Sequence, residues 1–445
     1  GVVNERRVDD PCVWREYHLE GSRGGFRAAG SAKSSVSWDT ALQRTFLPAS
    51  YPDGVRREYL HYQLFDTLQA LCSYLRGVLT TRAVLSGAGV GSADASPLAA
   101  AIVWVMRDGF GMLGSLAFAS GMANYLEVNV REWRLFADII NSVGLTLDMI
   151  TSLTPASWYL SVTALGALCK ALCGVAAGAT KASITAHLAL NGNMADLAAK
   201  EGTQETAVTL LGMVLGVGFA HVFGDSTIAV WLVFIALTAL HAYANIRAVQ
   251  SLVFDTFNPQ RVFLLARIHN SGGLAAIKAA TPRVVHDEEE LLRPVNLFYR
   301  GPKLAASAEE VLRSLQATAD THFDPVTWPD LLAAFDGDGY ALGLDGRGRV
   351  VVLVGEGTGE ETLVRGFFHA ALLTIRWRSC DRPAIRTPPP VLHMRYSDLL
   401  ASAKEVRKLW PSVRAALKEG GWRLGDGSSR MGAGPWRFLV EDKED

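Results

Sequence analysis

No proline lies between Pro155 and Pro259, and only Pro97 lies between Pro52 and Pro155. Proline breaks helix interiors, so a long Ala- and Leu-rich stretch without it predicts helices. They are expected near 55–86, 97–123, 130–153, 157–190, 193–223 and 227–254, with a shorter one at 259–270. Ser96 can cap the helix at 97, and Pro97 suits its first turn.

Several of these segments have little to offer water. Asp225 is the only formal charge from Ala207 to Ile246, and 157–180 holds only Lys170. Residues 227–246 are long enough to span a bilayer, which takes about 20 mostly apolar residues. Small residues recur at one-turn spacing: Gly212, Gly216, Ala220 and Gly224, and again Gly174 and Gly178. Such faces let helices approach closely in lipid, and they serve a packed soluble core equally well. Segments without a charged face favour the membrane. The fold expected is mainly α: a multi-helix, membrane-embedded bundle followed by a small α+β C-terminal domain.

Charges inside such helices must pair, face the bundle interior or line a wet cavity. Arg107, Asp108, Lys170, Lys181 and His187 are in this position. On the helix after 193, Asn193, Asp196, Lys200 and Gln204 share one face, with Glu201 and Glu205 beside them. Thin neighbours Ala195, Ala198 and Ala199 imply that this face points inward. Thr238, His241 and Asn245 form a similar stripe. Each stripe reads either as a pocket wall or as a paired internal network.

After about Val285 the sequence turns charged and ordinary. Residues 271–296 read as a linker. "GYALGLDGRGRVVVLVGEG" reads as a β-hairpin turning near 346–348. Helices are expected at 359–376 and 397–418, "RTPPPVL" as a rigid connector, and "PWRFLVE" as a last short strand. The domains expected are an N-terminal extension (1–48), the helical bundle (49–270), the linker and the α+β domain (297–445). Residues 1–48 carry no apolar core of a secretory signal. The "GAGVGSADAS" loop before 97 reads as a flexible turn, since no strand precedes it.

The bulk numbers exclude some functions. A net charge of −1 gives no field for nucleic acid. Five cysteines at spacings that fit neither a disulfide framework nor a zinc hook read as small buried apolar residues. No nucleophile elbow, metal motif, P-loop or dinucleotide fingerprint occurs, so catalysis is not expected.

The motifs resemble the root UVB sensitive (RUS) family from about Phe46 to Val249. They are "FLPASYPDGV" (46–55), "YLHYQLFDTLQA" (59–70), "GAGVG" before "RDGFGMLG" (107–114), "EWRLFADIIN" (132–141), "GVAAGATKASIT" (174–185), "NMADLAAKEGTQET" (193–206) and "TALHAYANIRAV" (238–249). Two positions depart from the family pattern. Lys181 stands where the family usually has Arg, and Ser115 where a basic residue is common. A bidentate arginine contact would not survive the first exchange intact.

The resemblance implies a link to UV-B responses, early development and vitamin B6 balance, and an organelle membrane of a plastid or mitochondrion. It makes pyridoxal phosphate or another B6 vitamer the expected ligand, and a second RUS-family protein or a second copy the expected protein partner. Arg107, Lys181 and Lys200 are the candidates for holding a small anionic metabolite. Asp108, Asp138, Asn141, His187, Asn193, Asp196, Gln204, Glu205, His241 and Asn245 are the candidates for shaping its pocket. The competing reading is a non-catalytic scaffold or sensor whose C-terminal α+β domain docks a partner protein.

Overall fold

The computed structural model describes residues 2–6, 13–20, 25–33, 38–88, 97–223, 226–291, 301–319, 327–345, 349–380, 396–425, 431–432 and 437–438. The glycine loop at 89–96, the hairpin turn at 346–348 and the "RTPPPVL" connector lie outside them. By internal contacts the chain forms two units.

The first unit comprises residues 1–87 and 182–251. Strands β1 (Val2–Arg6), β2 (Val13–Glu20) and β3 (Gly25–Lys33) pair antiparallel in that order, where the sequence suggested only an extension. Helix α1 (Trp38–Phe46) leads to α2 (Tyr59–Gly87). The C-terminal end of α5 (Ala156–Leu188) enters this unit, followed by α6 (Met194–Phe223) and α7 (Thr227–Ser251). Helix α2 packs on both α6 and α7. The expected small-residue face works here. A Cβ at Gly212 would fall 2.5 Å from the Tyr74 ring, and one at Gly216 3.1 Å from Val78. Gly174 and Gly178 do not do the same, since a Cβ at either would meet nothing within 4 Å.

The turn from α5 into α6 is set by Asn191 (φ 58°) and Gly192 (φ 75°). Two consecutive left-handed residues suit an Asn–Gly pair. The turn brings residues 188–190 beside 54–56. Arg56 N donates to Leu188 O at 3.1 Å, and Leu190 N to Gly54 O at 3.0 Å.

The second unit comprises residues 88–181 and 252–445. It begins with α3 (Pro97–Leu126), α4 (Val130–Ile150), a short 3-10 turn at 151–153 and the main length of α5. Trp133 anchors this group. Its ring meets Phe118 and Phe136, and its indole N–H donates to Tyr125 O at 2.9 Å.

The second unit continues with α8 (Pro259–Ala279), α9 (Pro282–Glu288), β4 (Lys303–Leu304), α10 (Ala308–Ala319), α11 (Trp328–Ala334), β5 (Tyr340–Leu344), β6 (Val350–Val354), α12 (Glu360–Cys380) and α13 (Tyr396–Glu419). The predicted hairpin is present: β5 and β6 pair antiparallel, and β4 joins β6 in parallel. Of the last predicted strand, Phe438 bridges to Gly355.

The stretch read as a linker is structured through residue 288. The Ser271–Gly272–Gly273 break does kink α8, with φ 65° and ψ −154° at Gly273. The helix then resumes, because Ile277 has a core to enter. Thr281 caps α9, and Pro282 fits its first turn. Ile277, Ala280 and Val285 share one hydrophobic core with Val351, Phe367 and Val413. The C-terminal domain's core therefore reaches back to α8, and residues 297–445 are not a self-contained module.

Among the described residues, four helical segments are long and apolar enough to cross a membrane: Ala101–Met122, Val130–Leu153, Ala156–Leu188 and Thr227–Ser251. Their outer faces are strongly apolar. On α3, Val105 is 71% exposed and Leu116 68%. Helix α6, which is not one of the four, also exposes Val214 and Val217.

Candidate functional site

The candidate residues fall into two sets, one in each unit, so that Lys181 and Lys200 do not share a unit.

In the first unit, the polar face of α6 does point inward. It is occupied by the main chain of residues 44–54. Asn193 donates to Ser50 Oγ at 2.6 Å and to Gly54 O at 2.9 Å. Asp196 accepts the Ala49 N–H at 2.8 Å. Lys200 donates to Arg44 O, and Gln204 to Phe46 O while accepting from Gln63 of α2. Successive turns of one helix thus satisfy the end of α1 and the loop after it, which would otherwise carry orphaned polar groups. Beside them Thr185 donates to Glu201 at 2.9 Å. Glu205, the last of the group, is exposed. Asn193→Ala removes two of these bonds and is expected to cost about 1–2 kcal/mol, read as a lower midpoint of thermal unfolding.

Thr238, His241 and Asn245 of α7 face α2. His241 Nε2 lies 3.2 Å from Gln69 Nε2, and Thr238 Oγ1 lies 3.5 Å from the fully buried Arg76. Asn245 is buried on the same stripe. His187 sits 3.1 Å from Glu58. Burial works to raise the Glu58 carboxyl, but the His187 hydrogen bond and nearby positive charge outweigh it and hold the group below its ordinary value of 4.5. A depressed carboxyl contributes stability that is complete above that value and fades as the pH falls through the lowered one. Glu58→Gln is therefore expected to lower the melting point at neutral pH. The gap to the parent chain should close in acid, as followed by thermal unfolding across a pH series.

In the second unit, Arg107 of α3, Asp148 of α4 and Lys170 of α5 come together inside the apolar helices. Arg107 Nη2 stands 3.5 Å from Asp148 Oδ2, and Lys170 Nζ pairs with the same oxygen. The Asp148 side chain is 3% exposed and that of Arg107 12%. Glycines make room: a Cβ at Gly166 would lie 2.8 Å from Asp148 Oδ1 and 3.2 Å from Gly144 O. The Arg107 guanidinium also lies 4.8 Å from the Trp104 ring centroid.

Two cations meet one carboxylate here, so the centre keeps a surplus positive charge. Asp148 Oδ1 and Arg107 Nε have no hydrogen-bond partner among the described residues. Asp148 was not singled out from the sequence. The signal was present, since isolated basic residues in apolar helices require an acid and Asp148 is the one acid of 140–153.

Of the remaining candidates, Asp138 is buried and ion-paired with Arg134 at 3.5 Å, and Asn141 is half-buried three residues on. Lys181 is half-buried near the end of α5. Asp108 is exposed on α3 beside exposed Val105 and Met112, and it joins none of these clusters.

A further network was missed because its members are remote in sequence. Glu289 binds Arg131 at 2.6 Å and Arg261 at 2.8 Å, with all three side chains almost wholly buried. In the C-terminal domain, His369 lies 3.0 Å from the Tyr340 hydroxyl and 3.1 Å from Ser402 Oγ. Burial pushes His369 down to about 3, so it is neutral at ordinary pH. The trio is sealed from solvent, which suits a structural relay rather than a reacting site. No cluster of metal-ligating side chains occurs among the described residues.

Comparison with known proteins places the chain. Residues 32–271, more than half of it, match the family described as the vitamin B6 photo-protection and homoeostasis domain. The chain belongs to the root UVB sensitive family. It is 43% identical over 237 residues to RUS family member 1 of Dictyostelium discoideum, covering 52% of this chain and 45% of that protein. It is 42% identical over 277 residues to protein root UVB sensitive 3 of Arabidopsis thaliana, covering 59% and 62%. Protein root UVB sensitive 2, chloroplastic, of the same plant is 27% identical over 305 residues, covering 66% and 69%. The chain thus spans about half to three fifths of the length of the first two relatives. No solved structure matches it significantly.

Proposed function

We propose that this RUS-family chain is a membrane-embedded, non-catalytic protein that binds a small anionic metabolite at the Arg107–Asp148–Lys170 centre, and passes or presents it to the other side or to a partner. The observation that carries the reading is that centre itself. Ionisable groups within apolar spans are costly, and by default they mark a pathway or a binding site. Here the surplus is positive, which suits an anion. The apolar outer faces of α3 and α6 have nothing to offer water and suit lipid.

The ligand class follows from the family's description. A phosphorylated B6 vitamer is small and anionic, and its phosphate can accept from both Arg107 and Lys170. The chloroplastic relative supports a plastid or similar organelle membrane. The α6 candidates serve here as structural support, since their polar atoms already hold the 44–54 segment.

The test is direct binding of pyridoxal phosphate to the purified full chain in detergent. Saturable binding is expected, weakened about tenfold or more in Arg107→Gln, in keeping with the loss of a charge-assisted contact. Absence of saturable binding to any B6 vitamer removes this ligand class. The scaffold reading, in which the C-terminal domain docks a partner, is lost if a chain truncated after α9 fully replaces the complete one in cells.

A further inference from the structure

We propose that a cavity between the C-terminal end of α3 and the small C-terminal sheet is a second ligand site, one that takes a phosphate monoester carried on an apolar body. It is distinct from the Arg107 centre and does not depend on it. The cavity holds about 240 Å³. Tyr125 of α3, Val128, Leu304 of β4 and Phe367 of α12 supply apolar wall, and Lys303 and Arg349 supply charge. A packing void is lined by apolar groups and stays dry, whereas this one carries polar donors. Its size is somewhat below that of ordinary small-molecule sites, about 300–1,000 Å³, so it fits a single ring or a lipid headgroup.

The donors are already held in place. Asp345 fixes Arg349 by accepting from its backbone N–H at 2.9 Å and from Nε at 3.0 Å. Both terminal guanidinium nitrogens remain without a partner among the described residues. Lys303 gives two hydrogen bonds to Glu310, at 2.6 and 2.8 Å, and keeps a third N–H. The Tyr125 hydroxyl likewise has no partner among the described residues. Three donors from three separate elements suit a tetrahedral group with several acceptor oxygens better than a flat carboxylate. The acidic partners cancel the net charge, so a bare multivalent anion gains little and an apolar body is needed as well. Tyr125 lies three residues beyond the apolar segment that ends at Met122. A tyrosine there suits the boundary between lipid and water. The phosphate can therefore come from a lipid headgroup or from a free metabolite.

The experiment is calorimetric titration of phenyl phosphate into the full chain reconstituted in phosphatidylcholine nanodiscs. Saturable binding is expected, weakened about tenfold or more in the Lys303→Ala/Arg349→Ala double variant. Lys303→Ala alone should melt with the parent chain, since the Lys303–Glu310 pair is solvent-exposed and contributes little, and it should still weaken binding. The double variant is expected to melt lower, because loss of Arg349 leaves the nearly buried Asp345 carboxylate without its ion pair. A parallel titration in nanodiscs doped with phosphatidic acid separates the sources. Suppressed binding there assigns the site to a lipid headgroup, and unchanged binding assigns it to a soluble phosphate ester; both support the site. Absence of saturable binding, equal affinity in the double variant, or equal affinity for phenylacetate overturns it.

Discussion

Asp148→Asn is expected to destabilise the chain by about 3–5 kcal/mol, the usual cost of removing one partner from a buried ion pair. The substitution keeps the shape of the side chain and leaves Arg107 and Lys170 facing one another without an anion. Arg107 is nearly buried and Lys170 half-buried, so each has little water to fall back on. The loss should appear as a large drop in the melting transition in detergent and in the yield of folded protein. Adding Lys170→Met to Asp148→Asn should recover part of it, because the half-buried one of the two cations is removed together with the acid. A single variant within about 0.5 kcal/mol of the parent would place Asp148 among ordinary surface positions and deny that the trio is a buried charge centre.

Gly144→Val is the second large effect, about 3 kcal/mol, at the upper end for overpacking. A Cβ at Gly144 would stand 2.9 Å from Gly166 O, 3.0 Å from Lys170 Cγ and 3.1 Å from Cys169 Cβ. The first contact is with backbone, which cannot swing aside, so α4 and α5 must part. The separation pulls Lys170 from Asp148 and should weaken anion binding along with stability. Gly174→Val, on the facing helix α5, is the control. A Cβ there meets nothing within 4 Å, so its cost should stay within about 1 kcal/mol. Thermal unfolding of the two variants side by side distinguishes a close crossing of α4 and α5 from a general intolerance of these helices to valine.

The helices were legible because proline placement and apolar composition are local signals. The observed α2 to α7 follow the predicted segments to within a few residues at most ends. The inward direction of the 193–204 stripe was legible too, from its thin alanine neighbours. Its purpose was not. Whether Asn193 meets a ligand or the carbonyl of Gly54 depends on where residue 54 is brought, and helix periodicity does not encode that. The extent of α8 was misread for a physical reason: Ser271–Gly272–Gly273 does bend the chain, but a kink and an end look alike until the burial of Ile277 is known. The strands at 2–33 gave no signal because their residues show no sustained alternation of apolar and polar.

The candidate site was half legible. The rule that basic residues in apolar helices must pair or line a cavity pointed to Arg107 and Lys170, and the structure joins them at Asp148. The Glu289 network brings Arg131 from more than 100 positions away to a glutamate that also holds Arg261, and no spacing rule reaches that far.

The most direct test of the account is alkaline-carbonate extraction of membranes from cells making the full chain. Retention in the pellet is the predicted result: the exposed apolar faces of α3 and α6 are then in lipid, and the Arg107–Asp148–Lys170 centre is an intramembrane one. Release into the supernatant would contradict the account, because the same charges would then be a paired network in a peripheral or soluble core.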